Sequence, residues 1–164
     1  MLEKYWPVGV GIGVILVSQL CYACRGKIPN SYNFGSLVGA WAICCGAHGM
    51  HVIQGDLFAS LFASLLALAI SLPGYRWGIG AGCVKSQVAF GAWIGCGLPF
   101  NSAAIVTAVS TILALILTFV GIRIVVARFE SKGEETPMFF PAQLTFTIGS
   151  VLGVAICWLA FQPG

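Results

Sequence analysis

Charge is scarce in this sequence. Charged residues make up 8% of its 164 positions, whereas a soluble domain carries about 25%. So few charges cannot cover a water-facing surface, which leaves lipid as the solvent for most of the molecule. Carboxylates are scarcest: Asp56 is the one aspartate, and the glutamates are Glu3, Glu130, Glu134 and Glu135. The eight basic residues are too scattered to form a phosphate-binding stripe, so nucleic acid is not an expected partner. Long repeats and low-complexity segments are also missing, and residues 1–164 read as a single domain. No small-x-small cleavage site follows the apolar run from Val8 to Leu20, so that run reads as a membrane helix and not as a signal peptide.

What the sequence does contain is apolar length. Hydrophobic residues make up 59% of the chain. A spanning helix needs about 20 mostly apolar residues. Six segments qualify or come close: Pro7–Cys24, Tyr32–Gly49, Leu57–Leu72, Val84–Pro99, Ser102–Val126 and Ala142–Phe161. The fourth is short and Gly-rich. The expected fold class is all-α, a polytopic membrane protein of about six spans.

Basic residues orient these spans. Arg25 and Lys27 follow the first, Arg76 and Lys85 flank the connection from third to fourth, and Arg123, Arg128 and Lys132 follow the fifth. With six spans, all seven fall on one face and Lys4 alone on the other. Basic loops stay in the cytoplasm. The expected location is therefore a cell membrane, with both termini extracytoplasmic and Glu130 to Thr136 in a cytoplasmic loop.

Four glycine pairs are spaced by four: Gly9 and Gly13, Gly35 and Gly39, Gly91 and Gly95, Gly149 and Gly153. Each puts two small residues on one helix face, where a neighbouring backbone can approach.

Two segments carry a more specific signal. One is Arg25 to Asn30 (RGKIPN), just after the first span. The other is Gly78 to Lys85 (GIGAGCVK), which runs into the Gly-rich helix from Ala89 to Gly95. Together, with Pro137 to Pro141 (PMFFP) and Gly149 beyond it, they resemble the type IV prepilin peptidases, a family of polytopic aspartic proteases. The resemblance runs from the first helix to the last. It rests on Ile28, Pro29, Asn30, Gly78, Gly80, Gly82 and Lys85. It implies cleavage of prepilin leaders at the cytoplasmic face, with pilin-like signal helices as partners besides membrane lipid.

The family's two catalytic aspartates do not carry over. Six residues before Ile28 stands Tyr22, and inside the Gly motif stands Cys83. Aspartic proteolysis needs two carboxylates that share a proton. Asp56 belongs to the opposite face, most of a ~30 Å hydrocarbon thickness away. The expected chain is a prepilin-peptidase-like scaffold without its catalytic pair, which binds pilin-like helices or assists pilus or secretion assembly. An active enzyme using the Cys83 thiol and a purely structural membrane subunit are the alternatives.

Each singled-out residue also has a plainer role. Tyr22 fits an interfacial aromatic, Cys83 a small buried residue and Lys85 a snorkelling charge. The seven cysteines sit in or beside apolar runs, as small hydrophobes do. Cys21, Cys24 and Cys83 could form a thiol or zinc site, but a fourth ligand is not evident. His48, His51 and Asp56 could approach a metal, but read more simply as interfacial polar residues. No cofactor is expected.

Overall fold

The computed structural model of the chain describes residues 2–47, 52–76, 79–130 and 139–160. Among these residues the structure is helical, without strands. A 3-10 turn, Leu2–Tyr5, leads into six α-helices: α1 Trp6–Arg25, α2 Asn30–Ala47, α3 Leu57–Arg76, α4 Ala81–Gly97, α5 Phe100–Glu130 and α6 Phe139–Ala160. They correspond in order to the six apolar segments. Three, Trp6–Arg25, Leu57–Tyr75 and Phe100–Ala127, are long and apolar enough to cross a membrane.

Local chemistry sets several helix ends. Gly26 closes α1 in the left-handed region, at φ 66°, and its N–H donates to the Tyr22 carbonyl at 2.8 Å. A side chain there would be strained, so glycine is the natural C-terminal residue. Pro29 then disfavours helix at Ile28 and lets α2 begin at Asn30. Leu98, extended before Pro99, separates α4 from α5 in the same way.

The largest boundary differences from expectation are at the ends of α3 and α5. α3 continues through Pro73 to Arg76. A proline this near the end removes one backbone bond and leaves the remaining turns intact. α5 runs to Glu130, so that residue ends a helix and does not open a loop. Charge ends an apolar segment but not a hydrogen-bonded one. The rest of the expected loop, 131–136, lies outside the described residues.

The helices alternate in direction around α4, which packs on α1, α2, α3 and α5. Thirteen of its 17 residues are buried, so α4 is the central helix. Two glycine pairs make close seams, one between α4 and α3 and one between α6 and α5. A Cβ on Gly91 would come within 2.7 Å of the Ala63 carbonyl, and one on Gly95 would strike the backbone of Ala59 and Ser60. On the other seam, a Cβ on Gly149 would lie 2.5 Å from Ala114 Cα, and one on Gly153 would meet Ser110. The other two pairs do not serve as close seams. Gly9, Gly13 and Gly35 have nothing within 4 Å, and Gly39 has Trp93 at 3.9 Å.

The surface is apolar and the interior carries the polar groups. Leu20, Leu65, Ile116, Ile156 and Leu159 face outward, whereas Ser60, Gln87, Thr111, Thr118 and Ser150 are fully buried. A soluble monomer rarely exposes so much contiguous apolar surface. Together with the three long apolar helices, this is the build of a membrane protein.

Candidate functional site

At one end of the bundle a cleft of about 370 Å³ opens between the starts of α2 and α4 and the end of α1. Tyr22, Gly26, Lys27 and Ile28 line it from α1 and the turn that follows. Asn30 lines it from α2, and Gly80, Ala81, Gly82 and Lys85 line it from α4. The two sequence segments singled out above thus meet in space.

Their contact has a steric basis. Ile28 is buried against Gly82, where a Cβ would lie 3.1 Å from Ile28 Cδ1. A larger residue at 82 would force the Ile28 side chain to shift. A polar tie then crosses the mouth: Lys85 Nζ donates to Asn30 Oδ1 at 2.8 Å. Lys27 and Lys85 are both exposed at the rim.

Polar groups lie on α1, α2 and α4 next to the cleft residues. Ser86 Oγ lies 3.0 Å from Ser18 Oγ, 3.1 Å from Asn33 Oδ1 and 2.9 Å from the Gly82 carbonyl. Ser18 Oγ donates to the Val14 carbonyl at 2.8 Å, and the Tyr32 hydroxyl donates to the same oxygen at 3.0 Å. The network joins the three helices next to the cleft. Sequence reading missed it, although Ser86 and Gln87 directly follow Lys85 and enter an otherwise apolar helix. Polar residues inside a membrane helix are costly enough to need partners.

Tyr22 and Cys83 are placed differently. Tyr22 lines the cleft. Cys83 is buried, 3% exposed, and packs with Ile79, Ala114 and Phe146 on the side of α5 and α6. Its side chain does not line the cleft. Of the two, Tyr22 alone lines the cleft. On α4, Gly82 and Lys85 are three residues apart and share a face, whereas Cys83 is turned about 100° from Gly82.

No carboxylate lines the cleft among the described residues. Asp56 lies at the far end of the bundle, where its Oδ1 accepts the Ala59 N–H at 2.6 Å and caps α3. The neighbouring Gly55 N–H donates to the Cys96 carbonyl near the end of α4. From Gly82 to Cys96 the rise of α4 is roughly 20 Å. Asp56 cannot reach the cleft without unfolding that end.

Of the other candidates, Pro29 forms the turn between α1 and α2, and Gly78 lies outside the described residues, as do His48 and His51. Cys21 is half-buried and Cys24 exposed. Among the described residues, no three of His, Cys, Asp and Glu are grouped to hold a metal. No family model, no curated protein and no solved structure matches this chain.

Proposed function

We propose that this chain is a six-span membrane protein on a prepilin-peptidase-like scaffold, which binds pilin-like helices without cleaving them. The observation that carries this reading is the cleft itself. The motif segments from α1, α2 and α4 converge on it, and the groups they supply are hydroxyl, amide and ammonium. None of these can share a proton as an aspartic dyad must. A thiol enzyme is the weaker reading, because Cys83 packs away from the cleft against Phe146.

The charge of the cleft selects what it binds. Lys27 and Lys85 repel the basic leader of a prepilin and leave its apolar helix as the part retained. A photo-crosslinking side chain at position 27, in proteoliposomes, should capture a prepilin through that helix. Replacing the leader's basic residues by Gln should raise the yield, and no cleaved product should form above the protein-free control. Cleavage that survives Cys83→Ala would overturn the non-catalytic reading. No captured helix with either leader would overturn the binding role.

The same proposal fixes topology. Reporter fusions after Lys27, Arg76 and Lys132 should all report cytoplasm, since the basic residues cluster on that face. An extracytoplasmic signal at two of them would end the six-span arrangement.

A further inference from the structure

At the end of the bundle opposite the cleft, two thiols from different helices meet. Cys44 lies in the last turn of α2 and Cys96 in the last turn of α4. They are 1% and 0% exposed and share an apolar cluster with Ile53. The two side chains come together within that cluster. The segment before α3 closes over them, because Gly55 N–H donates to the Cys96 carbonyl at 3.0 Å. The remaining cysteines are placed elsewhere. Cys83 and Cys157 belong to other clusters, Cys45 is exposed, and Cys21 and Cys24 sit near the cleft end of α1.

We infer that Cys44 and Cys96 are joined by a disulfide in the mature protein, a covalent link from α2 to α4. The inference rests on the orientation proposed above, which puts this end outside the cytoplasm, where disulfides form and persist. The oxidant is a protein disulfide of the dithiol–disulfide oxidase class. One thiolate, that of Cys44 or Cys96, attacks a sulfur of that donor, breaks its S–S bond and forms a mixed disulfide. The other thiolate then attacks the mixed disulfide, forms the Cys44–Cys96 bond and releases the second donor thiolate. Two thiol protons are lost, and two electrons reduce the donor to its dithiol. Both sulfurs are closed off from solvent in the folded bundle. The exchange therefore precedes the seating of α4 against α2, and the finished bond is out of reach of aqueous reductants.

Counting thiols tests this directly. Protein from membranes quenched with N-ethylmaleimide in SDS should carry five labels on its seven cysteines by intact mass, and seven after reduction in SDS. Reductant applied before denaturation should leave five. Cys44→Ser should carry six labels, because Cys96 is then a thiol, and Cys45→Ser should carry four. Seven labels on unreduced wild type would overturn the inference. Refolding a separate, unalkylated portion of that protein in oxidised glutathione, and labelling it only afterwards, then separates the two causes. Five labels would assign the failure to the orientation, and seven would assign it to the geometry. Six labels on Cys45→Ser, with five on wild type, would also overturn it, by moving the bond to Cys45.

Discussion

Gly95→Val should destabilise the folded bundle by about 3 kcal/mol, the upper part of the usual range for overpacking. The added side chain would start where Ala59 and Ser60 place backbone, and backbone cannot rotate out of the way as a side chain can. To admit it, α3 and α4 must separate. That separation would stretch the bond from Ser60 Oγ to the Ala92 carbonyl, now 2.7 Å, and the bond from Gly55 N–H to the Cys96 carbonyl. Gly13→Val is the matched control, since nothing lies within 4 Å of that position. Its cost should stay within about 0.5 kcal/mol, as for substitutions away from packed features. Unfolding of both variants by SDS titration gives the comparison. Equal midpoints would contradict the close approach of α3 and α4.

Gln87→Ala should cost about 3 kcal/mol, and Gln87→Leu about 1 kcal/mol. Gln87 is fully buried at the junction of three helices. Its Nε2 donates to Thr111 Oγ1 on α5, and its Oε1 accepts from Ser150 Oγ on α6, each at 2.9 Å. Interhelical hydrogen bonds within a membrane average about 0.6 kcal/mol, so the two together account for the Leu figure. Alanine also leaves a cavity, which adds the larger part. Leucine is tolerated because its neighbours have other partners. Thr111 Oγ1 already donates to the Thr107 carbonyl at 2.7 Å, and Ser150 Oγ lies 3.0 Å from the Phe146 carbonyl. The same unfolding experiment reads both variants. A leucine variant as unstable as alanine would mean that the hydrogen bonds, and not the volume, hold this junction.

Helix ends and order were legible in the sequence wherever a residue acts through its own backbone. Gly26, Pro29 and Pro99 interrupt helices for local steric reasons, and the elements change there. Hydropathy was a poorer guide to the end of α5. It detects where lipid ends, whereas backbone hydrogen bonds continue past Arg123 to Glu130 in either solvent. Glycine spacing was ambiguous for another reason. A pair spaced by four describes a face, not what stands opposite it. Gly91 and Gly95 meet α3, but Gly9 and Gly13 meet nothing.

The cleft was readable because its residues cluster in two short segments, and the missing side chain at Gly82 lets those segments approach. The direction of Cys83 could have been read from helical period alone, since it shares no face with Lys85. The Cys44–Cys96 meeting could not. Its two residues are 52 positions apart, and only the parallel packing of α2 and α4 brings their last turns together.

The enclosure of α4 bears on how such a protein is made. It has 17 residues and a Gln at its centre, and its surfaces are matched to neighbours and not to acyl chains. A segment of this kind gains little from partitioning into lipid by itself. Its stable position in the bilayer exists only once α3 is there, because the groove that admits Gly91 and Gly95 is on that helix. Biosynthesis delivers α3 first, with a short link between them. On the six-span arrangement proposed above, the two would leave the insertion machinery as a hairpin, and a chain truncated to remove α3 should lose α4 from the membrane as well.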